Sequence, residues 1–71
     1  MKKLSIRNQL EGKVKEIVHG SVVSEILVKT KAGTLASVIT SRSVKDMKLK
    51  KGDNVFVMVK ATECSIQKAG N

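Results

Sequence analysis

Aromatic side chains are nearly missing from this sequence: Phe56 stands alone, with no Trp or Tyr. Small β-barrels hold single-stranded nucleic acid by stacking bases on aromatic rings, each stack contributing about 1–3 kcal/mol. One ring cannot line such a surface, and Phe56 sits in an apolar run that reads as core, so composition speaks against a nucleic-acid partner. Cysteine is equally scarce. Cys64 has no second cysteine to pair with, and one Cys with one His falls short of a structural zinc site. A single unpaired thiol fits a reducing compartment. Proline is absent, so no stretch is barred from a strand on that ground. No apolar run approaches the roughly 20 residues that span a bilayer. After Met1-Lys2-Lys3, the polar Ser5, Arg7, Asn8 and Gln9 interrupt what could have been a signal-peptide core. The expectation is a cytoplasmic protein with no membrane partner.

Acidic residues are also few, six against fourteen Lys or Arg, for a formal charge of +8. That balance favours anionic partners without choosing among them, and the lysines are scattered rather than gathered in a tail. The constellations of catalysis are missing as well. There is no paired-carboxylate arrangement, no nucleophile with an evident base and no Gly-rich phosphate loop, and Cys64 and His19 lie far apart, so an enzyme is not expected. At 71 residues the chain is one small domain, residues 1–71. A chain of this size buries only about 60% of its unfolded surface and needs a staple. With disulfide and zinc set aside, oligomerisation is the staple left.

What is present is a succession of short β patterns. Leu10–Val18 alternates, with Gly12 suggesting a bend or bulge. Val22–Lys31 sets Ser24, Ile26 and Val28 on one face. Leu35–Thr40 forms a third strand. Asn54–Ala61 sets Val55, Val57 and Val59 opposite Phe56, Met58 and Lys60, and Thr62–Gln67 reads as a last edge strand. Ser43–Met47 reads as a short helix, with Ser43 as N-cap, Asp46 three residues on, and Val44 and Met47 on one face. Strand, strand, strand, helix, strand, strand is the order of an all-β, five-stranded OB-like barrel with one short helix between strands 3 and 4. Ser37, Thr40, Ser41 and Ser43 cluster where the third strand meets the helix. Taken alone they read as ordinary capping and turn hydroxyls, although a helix start also suits a small anion. Lys60 shares a strand face with apolar neighbours; it can snorkel to water, or join Arg7, Thr40 and Ser43 in holding a tetrahedral dianion.

Five motifs in register then carry a resemblance. Ser5-Ile6-Arg7-Asn8-Gln9-Leu10-Glu11-Gly12-Lys13-Val14 resembles the opening segment of the molbindins, and His19-Gly20-Ser21-Val22-x-x-Glu25 resembles their first turn. Ser37-Val38-Ile39-Thr40-x-x-Ser43-Val44, Leu49-x-x-Gly52 and Val59-Lys60-Ala61 follow in the family's order and spacing. The resemblance implies an intracellular protein that binds molybdate or tungstate for storage, buffering or homeostasis. It implies OB-like (TOBE-like) subunits in a homo-hexamer, a trimer of dimers, in a free-standing form without a DNA-binding or ATPase domain. It implies one oxyanion site at a subunit interface, with Ser5, Arg7, Lys60 and Ala61 from one subunit and Thr40 and Ser43 from a neighbour. Ala61 would serve through its backbone N–H. A second site is implied at the His19, Gly20, Ser21 and Val22 turn. Recognition would be by hydrogen bonds and charge, with no metal–protein bond. The readings that stand beside it are an OB-like nucleic-acid-binding module and a purely structural assembly protein.

Overall fold

A hairpin-rich sheet is what alternating β-branched residues and short polar turns dictate. The computed structural model, which describes residues 8–70, contains one. Strands β1 (Asn8–Val18), β2 (Val23–Thr30) and β3 (Gly33–Thr40) are followed by helix α1 (Ser41–Asp46) and strand β4 (Asn54–Val59), and a 3-10 turn covers Ala61–Glu63. All pairings are antiparallel, in the order β3-β2-β1-β4, so β3 and β4 form the two edges of a curled half-barrel.

The inward phase matches the expected one on β2. Ser24, Ile26 and Val28 are buried, and Val14 from β1 and Val44 from α1 complete the core. Ile17, Ile39, Leu49, Val55 and Val57 pack against it while still partly exposed. Four buried apolar side chains, each contributing about 1.5–3 kcal/mol, make a thin core for the residues described.

Several expectations are corrected. Among the described residues there are four strands: Thr62–Gln67 is a 3-10 turn and irregular chain, and its one large apolar residue, Ile66, is 95% exposed. That segment alternates no apolar face toward the core, so nothing holds it in the sheet. Phe56 is 61% exposed rather than buried. The period of two gives the inner face of β4 to the three valines and leaves Phe56 outside. Met47 is also exposed, because α1 ends at Asp46 and Met47 is its C-cap. The helix begins two residues earlier than expected, capped by Thr40 and not by Ser43. Finally, the bulge in β1 falls between Val14 and Glu16, leaving Lys15 unmatched, and not at Gly12. Gly12 is instead a point of close approach. A Cβ there would lie 2.5 Å from the Lys29 carbonyl oxygen and 2.8 Å from Val28 Cγ1.

The end of α1 carries local strain. Lys48 N–H donates to the Lys45 carbonyl and Leu49 N–H to the Val44 carbonyl, at 3.1 and 3.0 Å, the paired bonds of a Schellman stop. Lys48 therefore occupies the left-handed position that glycine favours, at φ 53°. Leu49 packs back on the core beside Val44, which repays part of that cost.

Candidate functional site

The hydroxyls at the β3–α1 junction are arranged by the cap. Thr40 Oγ1 accepts the Ser43 N–H at 3.1 Å and donates its own proton to Ser43 Oγ at 2.8 Å. Each hydroxyl has one proton. Thr40 has spent its proton on Ser43, and the Ser43 O–H remains to be offered outward. Thr40 is exposed and Ser43 half-buried, so the pair opens to solvent. With six residues, α1 is too short for a large macrodipole, and these side chains are the principal donors.

A second network ties this junction to the 19–22 turn. Ser41 Oγ donates to the Gly20 carbonyl at 2.6 Å, so the proton between Ser24 Oγ and Ser41 Oγ, 2.7 Å apart, belongs to Ser24. Ser24 Oγ in turn accepts the Gly20 N–H at 3.3 Å, closing a ring. The Ser41 N–H also donates to the Val22 carbonyl at 2.8 Å. The turn is pressed close: a Cβ on Gly20 would collide with the Val23 carbonyl oxygen. Both polar groups of Gly20 are thus engaged inside the chain, which leaves Ser21 and Val22 as the turn's backbone donors for a ligand. His19, Ser21 and Val22 are exposed. Sequence reading overlooked Ser24. Its signal was a serine in the inward phase beside Ile26 and Val28, buried to 2% and therefore in need of partners.

Of the other residues singled out, Ser37 faces the interior below the junction, half-buried opposite Ile26. Ser5 and Arg7 lie outside the described residues. Lys60 and Ala61 follow β4 and are exposed. They are not near Thr40 and Ser43 within one chain. Val59 pairs with Asn8 at the start of β1, whereas Thr40 pairs with Val23, beyond the level of Val18 at the other end. The two groups occupy opposite edges and opposite ends of the sheet, roughly ten residue steps and on the order of 30 Å apart along the strands.

A curled antiparallel half-barrel with hydroxyl donors at one corner and a lysine at the other defines a small OB-like binding module. The sequence model of the TOBE domain matches residues 4–66. A molybdate-binding protein from Sporomusa ovata superposes with a TM-score of 0.91 at 46% identity, covering 94% of this chain and all of that one. A probable molybdenum-pterin-binding protein of Haemophilus influenzae is 35% identical over 65 residues, 90% of this chain and 94% of its own length. The cytoplasmic molybdate-binding protein ModG, in a molybdate-bound form, superposes with a TM-score of 0.82 at 33% identity, over 87% of this chain and 45% of its own. The chain belongs to the TOBE domain family and, within it, to the molbindins.

Proposed function

We propose that this chain binds molybdate or tungstate as a tetrahedral dianion, without catalysis, and serves storage, buffering or homeostasis of that anion in the cytoplasm. The observation that carries this reading is near-full-length similarity to a molybdate-binding protein at 46% identity. The donor chemistry agrees with it. Molybdate at neutral pH only accepts hydrogen bonds, and the Ser43 O–H, with Thr40 behind it, is a donor with no acceptor among the described residues. Among the described residues no helix is long and apolar enough to cross a membrane.

The site is read as shared between subunits. Ser5, Arg7, Lys60 and the Ala61 N–H come from one copy and Thr40 and Ser43 from another, because a single chain holds Lys60 and Thr40 at opposite corners. Among the described residues, two unpaired sheet edges and a core of four buried apolar side chains support an obligate oligomer, a hexamer built as a trimer of dimers. The second site is read at the His19–Val22 turn, through the Ser21 and Val22 N–H groups. Arg7 and Lys60 supply charge, the hydroxyls supply direction, and the cavity between subunits separates molybdate and tungstate from the smaller sulfate.

Isothermal titration with molybdate, tungstate and sulfate, alongside mass in solution, tests the reading. Tight binding of either of the first two anions to an oligomer is expected. Absence of heat with both, or a stable folded monomer at low micromolar concentration, would overturn it. One observation favours a second reading. Phe56 is exposed on the sheet face and free to stack on a base. A lone ring contributes about 1–3 kcal/mol, so an oligonucleotide arm of the same titration should show only weak, salt-sensitive binding.

A further inference from the structure

The outer face of the sheet carries a feature that the molybdate reading does not use. Lys13 on β1 pairs directly with Lys29 on β2, and the same row continues to Asn54 on β4 and Thr34 on β3. All four are exposed. Directly opposed residues of an antiparallel pair have Cβ atoms about 4.5–5.5 Å apart, and like charges so placed are destabilising. Lys31 adds a third amine. It lines, together with Lys13, Lys29 and Asn54, an open cleft of about 640 Å³ that also takes in Leu10, Gly12 and Thr30. Glu11 is the one carboxylate in that lining, so three amines face a single acid.

We propose that this row is an anion site separate from the oxyanion residues above, and that its ligand is a phosphate dianion, either free or as a terminal phosphomonoester. Lys13 and Lys29 supply the charge as two point cations, a mode in which lysine serves phosphate well. Asn54 and Thr34 flank them in the same row. Unlike the lysines, each can accept as well as donate, which suits a phosphate that still carries one proton. A bound dianion also removes the repulsion between the opposed lysines, so the fold gains stability when the site fills.

The test is thermal unfolding of the full chain at fixed protein concentration, in inorganic phosphate, adenosine monophosphate or chloride at equal ionic strength. Wild type should show saturable stabilisation by phosphate over chloride. Lys29→Gln should melt higher than wild type in chloride, because the repulsion is gone. It should also bind phosphate roughly tenfold to a hundredfold more weakly. Lys45→Gln, on α1, should match wild type in its phosphate response. Stronger stabilisation by adenosine monophosphate than by phosphate identifies an ester as the ligand, and equal stabilisation identifies the free anion. The proposal is overturned if wild type shows no saturable phosphate effect, if Lys29→Gln is no more stable in chloride, or if Lys45→Gln loses the effect equally. Molybdate titration of Lys29→Gln separates the two sites. An unchanged isotherm is expected, and a lost one would assign the row to molybdate binding and overturn a separate phosphate site. A wild type that binds phosphate but not molybdate would refute the proposed function and leave this site standing.

Discussion

Thr40 and Ser43 sit three residues apart with similar chemistry, yet the structure gives them different work, and substitution should separate the two roles. Thr40 Oγ1 accepts the Ser43 N–H and so caps α1, while Ser43 Oγ receives the Thr40 proton and keeps its own. Thr40→Ala removes the cap, a loss of about 0.5–2 kcal/mol. At roughly 4–8 °C per kcal/mol for a domain of this size, the melting midpoint should fall by several degrees. Ser43→Ala leaves the Thr40 cap intact, because the cap uses the Ser43 backbone, and should melt near wild type. In molybdate titrations the order reverses. Ser43→Ala deletes the donor that faces outward, and a hydrogen bond to a charged partner contributes about 1.5–3 kcal/mol, so affinity should drop by roughly tenfold to a hundredfold. Thr40→Ser preserves donor and acceptor and should restore both properties. The assay is calorimetric melting with and without molybdate, paired with isothermal titration, all at one protein concentration because oligomers melt in a concentration-dependent way. Equal destabilisation by Ser43→Ala and Thr40→Ala would refute the assignment of the cap. Wild-type molybdate affinity in Ser43→Ala would refute the assignment of the donor.

Further outcomes follow from the same geometry. Lys60→Ala should weaken molybdate binding by roughly tenfold or more while Lys45→Ala, equal in charge change but on α1, should scarcely alter it; equal, salt-sensitive losses in an isothermal titration would mean diffuse attraction instead of a site. Lys48→Gly should stabilise the chain by about 1 kcal/mol in chemical denaturation, because Lys48 holds a left-handed conformation at φ 53°; an unchanged midpoint would show that the Schellman stop carries no strain. Ser24→Ala opens the ring, sparing the direct Ser41–Gly20 bond but removing the partner of the exposed Gly20 N–H, a loss of about 0.5–1.5 kcal/mol. Hydrogen exchange at Gly20 should accelerate in that variant, and unaltered protection would contradict the ring.

How far the sequence speaks depends on the range of the interaction. The phase of β2 was legible because Ser24, Ile26 and Val28 alternate with exposed positions, and a period of two is a local property of the chain. The order of elements and the helix after the third strand were legible for the same reason. Family membership was legible through Thr40, Ser43, Lys60 and Ala61 in register with the other motifs. Local pattern misjudged the cap, since Ser43 and Thr40 are both good N-cap residues and only the observed start of α1 at Ser41 chooses between them. It also misjudged Phe56 and Thr62–Gln67. Whether a residue in an alternating strand is buried depends on what covers each face, and the covered face of β4 is the one with the valines.

Tertiary structure alone decided how the candidate residues stand to one another. No spacing in the sequence says that Ser24, Ser41 and Gly20 close a ring, because those residues are brought together by the packing of the β3–α1 junction on the 19–22 turn. Nor does any spacing say that Lys13 faces Lys29, a fact set by the register of β1 on β2. The separation of Lys60 from Thr40 is likewise a consequence of strand order. With β3 and β4 on opposite edges, and their far ends pointing opposite ways, a residue after one cannot reach a residue at the end of the other. The sequence by itself determined which donors and cations the chain owns. The sheet determined that one copy cannot gather them all, because an antiparallel order without β3–β4 pairing leaves its two edges apart.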